Sequence, residues 1–551
     1  MNRVPFDLPV KSRCSSTLKY EGKSFHIWGR RFMRGAGKVG DDRNLKSTKK
    51  MDVDCNNSDI FNEDVLQRRC STYEDVESSL SLLKEIIEYR NRNVSSWVVE
   101  GKVRKLCGFY RCFLKDHKNE FINVLSKDYA VNHKEVLKLS QVLAKYSELP
   151  ETEINSDAKI LRNEDQLRNF LTPEYSWLFI HIGKLEKGVK FLVDLRTDVL
   201  DLIAEKNGEV ERTIELQQLN TTLKELLSLW FSIGFLDLQR VTWNSSCEML
   251  QKISEYEAVH PVRSWTDLKR RVGHYRRCFV FLHGSMPGEP IVVLHTALSD
   301  EISSSMSGIV SARTRMSIDY TSKNGASLLD PHEEDPSCVK AAVFYSISST
   351  QRGLQGIELG NYLIKRVVHE LQNEFPYMTQ FSSLSPIPNY KSWLLEKLKC
   401  AEKGFNDIFF QDEVQSLANQ FNCLNFWQEL RKLLSSNAWT DDKELVSLLE
   451  RPLTRLCARY LYLEKRRGYA FDSVANFHLK NGAVLWRINW FADLSPRGLG
   501  NSCSLMVNYR YFLEQSESNS RGYLENLHIT VSDEVFTMAE DAKKLIVPSK
   551  V

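Results

Sequence analysis

The fold is decided by residues 339–388, VKAAVFYSISSTQRGLQGIELGNYLIKRVVHELQNEFPYMTQFSSLSPIP. The stretch opens with an apolar, β-branched and aromatic run, VKAAVFYSIS (339–348), that reads as a strand. A polar turn follows, STQRGLQGIE, and then a helical pattern, LGNYLIKRVVHELQNEF. Leu359, Leu363, Val367 and Leu371 recur every four residues and form one stripe on that helix. A second extended segment, TQFSSLSPIP, completes a strand–turn–helix–strand unit. Gly353, Gly356 and Gly360 cluster where the chain enters the helix. A glycine-bearing turn there presents free backbone N–H groups and the positive end of the helix dipole, which suits a pyrophosphate, and Arg352 adds charge. A glycine-rich helix start without a ligand is the commoner case, so the turn alone leaves both readings open.

Around this unit, further strands are expected in CFVFLH (278–283), PIVVLHTAL (290–298), AVLWRINW (483–490) and LMVNYRYFL (505–513). Gly284, Pro287 and Gly288 supply a turn between the first two. The Ser-rich stretch 301–338 reads as a surface loop, and 390–467 as a second helical block. Upstream, residues 74–238 carry helical periodicity, as in WLFIHIGKLEKGVKFLVDLRTDVLDLIAE. LKELLSLWFSIGFLDL (223–238) is the most apolar run, but Lys224, Glu225 and Asp237 make it a buried amphipathic helix rather than a membrane span. The expected architecture is α+β with two domains. Residues 1–70 form a disordered or targeting tail, 71–238 an all-α domain, and 239–551 an α/β catalytic domain.

Composition narrows the function classes. The 551 residues carry 74 Lys+Arg against 71 Asp+Glu, a net charge of +3, too balanced to favour nucleic acid as the main partner. Twelve Cys without a Cys-x-x-Cys pair fit a reducing compartment, and twelve scattered His without HExxH or zinc spacing predict no metal. The first 40 residues hold nine Lys/Arg against Asp7 and Glu21, which reads equally as an organellar transit peptide or a basic tail. The C-terminal PSKV resembles the peroxisomal Ser-Lys-Leu address without its Leu. Mitochondrial matrix, peroxisome and cytoplasm all stay open, with the basic N-terminus favouring the first.

The glycine turn resembles the CoA pyrophosphate loop of the GNAT acyltransferase superfamily, although RGLQGIELG spaces its glycines more widely. A more specific resemblance runs through six ordered blocks between 245 and 514. They are SSCEMLQKISEYEAVHPVRSWTDLKRRVGHYRRC, MPGEPIVVLHTAL, FYSISSTQRGLQGIELGNYLIKRVVHELQ, FSSLSPIP, RGYAFDSVANFHLKNGAVLWRINW and LMVNYRYFLE. In this order they are similar to malonyl-CoA decarboxylase. The resemblance implies a GNAT-like catalytic domain, a homotetramer, and conversion of malonyl-CoA to acetyl-CoA and CO2 in fatty-acid metabolism, without metal or organic cofactor. It implies Ser385 and His478 as the catalytic pair, both also touching substrate. It implies a CoA site along Gln355, Gly356, Ile357, Glu358, Leu359, Gly360 and Asn361. Lys252 matches a lysine regarded as important in the family, and Tyr511 matches a tyrosine near its active site.

The chemistry suits these residue types. Loss of CO2 leaves a thioester enolate whose oxygen needs preorganised donors and whose carbon needs a proton. Histidine suits the proton transfer, and a serine hydroxyl can both accept and donate. Read from the residues alone, Ser385 before Pro386 is a turn former and His478 between Phe477 and Leu479 a core histidine. Two rivals are a GNAT-type acyltransferase that needs an amine acceptor, and an inactive CoA-binding scaffold.

Overall fold

The computed structural model describes residues 73–148, 158–206, 210–231, 236–312, 334–357, 363–421 and 425–546. The expected tail, the C-terminal PSKV, Glu358 to Asn361 and most of the Ser-rich loop lie outside the described residues.

The first part is helical: α1 (Tyr73–Glu88), α2 (Ser96–Cys112), α3 (Lys115–Asp128), α4 (His133–Ala144), α5 (Ala158–Leu171), α6 (Glu174–Gly183), α7 (Gly188–Glu205) and α8 (Val210–Trp230). Amphipathic spacing explains the packing. On α2, Val99, Val103, Leu106, Cys107 and Tyr110 form one buried stripe. Helix α7 is apolar on most of its surface and runs through the middle, burying Val189, Leu192, Val193, Val199 and Leu202. Among the described residues no helix is long and apolar enough to cross a membrane.

The helical pattern stops earlier than expected. The chain leaves α8 at Trp230, and Leu236–Val241 is strand β1. Leu236 and Val241 are buried while the residues between them are half-buried or exposed, a strand edge rather than a helix stripe. A short apolar run cannot be assigned to helix or strand by periodicity alone, and here pairing with β2 decides it.

Strands β2 (Arg276–His283), β3 (Val292–Ser299), β4 (Ala341–Ser349), β5 (Gln380–Ser383), β6 (Ser385–Pro386), β9 (Val484–Asn489) and β10 (Met506–Tyr511) complete the main sheet, while β7 (Lys465–Arg466) and β8 (Tyr469–Ala470) form a separate hairpin. The order is β1-β2-β3-β4-β5-β10-β6, with β9 also on β10. Strands β1 to β4 form an antiparallel meander. The pair β4 and β5 is parallel, which requires a crossover. The helices of this part are α9 (Cys247–Glu255), α10 (Trp265–Arg271), α11 (Leu363–Glu374), α12 (Tyr390–Glu402), α13 (Gln411–Phe421), α14 (Phe426–Ser436), α15 (Lys443–Ala458), α16 (Ser473–Lys480), α17 (Pro496–Ser502), α18 (Ser516–Asn526) and α19 (Asp533–Lys543). Helix α11 is the crossover, and it buries Leu363, Val367 and Leu371 as its sequence stripe predicts. The result is the expected α+β architecture, a helical part followed by a mixed sheet with helices.

Two features of the sheet prepare the site. First, β4 and β5 pair only from Ala341↔Gln380 to Phe344↔Ser383. Beyond that point β4 continues on β3 to Ser349, while Ser385 leaves β4 and stays in register on β10, opposite Val507. The parallel strands part at this step. Second, the turn after β4 is bolted to the helical part. The Arg196 guanidinium of α7 donates to the carbonyl oxygens of Gly353 and Gln355, and its Nε donates to Asn220. Gly353 sits so close to α7 that a Cβ there would lie 1.9 Å from the carbonyl oxygen of Val193. Gly353→Ala should therefore destabilise the protein by about 1–3 kcal/mol through overpacking. Urea denaturation checks this, and an unchanged midpoint would mean that α7 yields freely.

Candidate active site

Asp472 starts the helix that carries the central histidine. Its carboxylate accepts from the N–H groups of Val474 and Ala475 and so caps α16. Capping sets the rotation of this short helix, whose buried face is Ala475, His478 and Leu479. His478 lies in the last turn, 2% exposed, with its ring stacked on Tyr509 at a centroid distance of 4.5 Å and 15° between planes.

Both imidazole nitrogens are engaged. Nε2 lies 2.8 Å from Ser385 Oγ, and Nδ1 lies 2.7 Å from the Tyr511 hydroxyl. Ser385 is buried at the point where β4 and β5 part, and its hydroxyl also donates to Ser383 Oγ at 2.8 Å. The structure thus brings Ser385, His478 and Tyr511, residues from three separate sequence blocks, into one hydrogen-bonded chain. Burial disfavours the charged imidazolium and pushes His478 down from 6.5 to about 3, so the ring is neutral in the empty site. Burial also pushes Tyr511 well above its ordinary value and keeps it a protonated phenol.

A second layer holds these groups. The Asn508 side-chain amide donates to the carbonyl oxygens of Ser383, at 2.7 Å, and of Ser303, at 3.2 Å. Its Oδ1 accepts from Arg487 and Asn489. Sequence reasoning passed over Ser383, Asn508, Tyr509 and Asp472. Two signals were available: Ser383 and Ser385 stand two apart in an extended segment and share a face, and Asp472 before SVANFHLK is a helix-start pattern.

The other predicted residues are placed as follows. Gln355, Gly356 and Ile357 form the turn bolted to α7, and Gly356 has φ +75°, a conformation that favours glycine. Arg352, expected to add charge for a phosphate, instead pairs with Asp201 of α7, because the turn packs against that helix. Lys224 of α8 reaches the same turn, with Nζ 3.9 Å from where a Cβ of Gly356 would sit. Lys252 donates to Glu248 and the carbonyl of Gly288 and pairs with Glu289, so it ties α9 to the β2–β3 hairpin. None of these partners belongs to the histidine chain.

Fold and site together define an α+β protein with a buried serine–histidine–tyrosine hydrogen-bond chain at the parting of two parallel strands. Comparison with known proteins sharpens the class. The malonyl-CoA decarboxylase C-terminal domain matches residues 234–546, and the N-terminal domain of the same family matches residues 129–231. The mitochondrial malonyl-CoA decarboxylase of Anser anser anser is 48% identical over 420 residues, 76% of this chain and 79% of that relative. The Mus musculus mitochondrial enzyme is 46% identical over 455 residues, 82% of this chain and 87% of that relative. Crystal structures of malonyl-CoA decarboxylase from Rhodopseudomonas palustris and Agrobacterium vitis superpose with TM-scores of 0.68 and 0.66, each at 27% identity and covering 84% of this chain and 99% of the other. The chain belongs to the malonyl-CoA decarboxylase family, a family of carboxy-lyases.

The neutral histidine has a thermodynamic consequence. Below pH 6.5 the unfolded chain protonates His478 while the folded one does not until about 3. The native state is therefore favoured fully above 6.5, and this contribution is lost as pH falls toward 3. Urea titrations from pH 7 to 4 should show a smaller acid-induced loss of stability in His478→Asn than in the parent protein. Parallel pH curves would remove His478 as a source of acid sensitivity.

Proposed function

We propose that the Ser385–His478 pair carries the decarboxylation of malonyl-CoA, and that the turn at Gln355–Ile357 with the residues after it cradles the CoA pyrophosphate. The observation that carries this reading is the 2.8 Å contact between Ser385 Oγ and His478 Nε2 at the parting of β4 and β5. In this reading the thioester arm of the substrate lies between the two backbones where β4 and β5 part.

Electrons and protons balance simply. The bond between the α-carbon and the carboxylate breaks, CO2 leaves, and the electron pair enters the thioester as an enolate. His478 delivers a proton to the α-carbon, giving acetyl-CoA and restoring the neutral ring, so each turnover consumes one solvent proton. The malonyl carboxylate, seated beside Nε2, opposes the desolvation that holds His478 neutral, so proton uptake accompanies substrate binding. Ser385 anchors the carboxylate and relays the proton. Tyr511 holds the far side of the ring. The thioester is the electron sink, and residues of this chain do the rest.

Lys224 supplies the positive charge near Gly356 that the paired Arg352 does not, and it comes from the helical part. The homotetramer expected from the family resemblance and a mitochondrial location, the one given for the relatives, complete the reading.

Incubation with malonyl-CoA alone should release CO2 and form acetyl-CoA with no acceptor present. An absolute need for an amine acceptor would move the chain to acyl transfer. Ser385→Ala and His478→Asn should each lower kcat by roughly 10²–10⁴-fold with CoA affinity kept, the range for loss of acid–base catalysis. Gly356→Trp and Lys224→Glu should instead weaken CoA binding, measured by calorimetry. Normal affinity in both would place the pyrophosphate elsewhere.

A further inference from the structure

One hydroxyl beside the pair has no part in the chemistry above. Ser383 is fully buried and lies two residues before Ser385 on the same face of the extended chain. Its main chain is held from both sides, by pairing with Phe344 of β4 and by the Asn508 amide on its carbonyl. Its Oγ accepts from the Ser385 hydroxyl at 2.8 Å and from the Tyr509 N–H at 3.3 Å. Those two bonds use both lone pairs of the hydroxyl.

The bond that Ser385 donates to Ser383 sets a direction through the whole chain. Ser385 has one hydroxyl proton, and that proton points to Ser383. Toward His478, Ser385 can then only accept, so Nε2 carries the ring proton. A neutral imidazole has a single N–H. Nδ1 is therefore bare and accepts from the Tyr511 hydroxyl. The chain runs Tyr511 to His478 to Ser385 to Ser383, each group donating to the next.

We propose that Ser383 is a positioning residue for the decarboxylation: by accepting the Ser385 proton it selects the Nε2–H form of His478 and keeps that N–H on the Ser385 side. The inference rests on Ser385 and His478 being the catalytic pair. Without the acceptor, Ser385 can turn its own proton onto Nε2. The ring then takes the Nδ1–H form and donates to Tyr511, so Nε2, the nitrogen on the α-carbon side, starts bare and gains a proton only after the Ser385 hydroxyl has turned away. Ser383 acts through Ser385 and does not meet the substrate.

The test compares kcat and KM for malonyl-CoA in Ser383→Ala, Ser383→Cys, Ser385→Ala and the double variant Ser383→Ala/Ser385→Ala. Cysteine keeps the shape of serine with a weak acceptor, so it carries the test if the alanine variant folds poorly. Both Ser383 variants should lose about tenfold in kcat with KM within about twofold, the effect of one misdirected hydrogen bond. In the Ser385→Ala background the Ser383→Ala change should add no further loss. Unchanged kcat in Ser383→Cys, or a full extra tenfold loss on top of Ser385→Ala, would overturn the role. Wild-type turnover in Ser385→Ala alone is a different failure, visible in that single variant, and it would overturn the catalytic pair and this role with it.

Discussion

The parting of β4 and β5 is the constraint on which the rest of the site depends. Parallel strands that separate leave backbone N–H and C=O groups facing a gap, and buried groups of this kind must find partners. The chain resolves the problem by keeping Ser385 in the register that Phe381 and Ser382 already hold on β10, while the N–H of Leu384 still donates to the carbonyl of Phe344. That register places the Ser385 hydroxyl against His478 of α16. It also sets β10 in the middle of the sheet, where alternate residues Tyr509 and Tyr511 both face His478.

Burying a histidine this deeply has an electrostatic cost that only the neutral form avoids. The site accepts that constraint and surrounds the ring with hydroxyl groups and a stacked tyrosine instead of a carboxylate. A carboxylate partner would hold the imidazole charged before substrate arrives. Hydroxyl partners leave it neutral.

Much of this was legible in the sequence, and the rest was not for identifiable reasons. The strands around 278–298 and 339–348 carry dense β-branched and aromatic runs, and α11 carries a clean stripe, so local pattern sufficed. The family resemblance read across residues 245–514 holds over the longer span 234–546. The end of α8 was missed because an apolar run of mixed charge fits helix and strand alike, and only pairing with β2 distinguishes them. Ser385 and His478 look like structural residues when taken singly, and their meaning lies in a contact across 93 positions. Arg352 was misjudged because its partner, Asp201, comes from a different part of the chain. Ser383 and Asn508 act through a partner's orientation, and orientation leaves no trace in residue order.

The guanidinium of Arg196 reaches further than its role in packing. It grips two carbonyl oxygens of the turn that follows β4 from within the central helix of the N-terminal part. A ligand that orders this turn must also order α7, and strain in the helical part must be felt at the turn. By linkage the two effects are equal in free energy. An event confined to the helices, such as association through their exposed faces, has through this one side chain a mechanical route to the turn after β4.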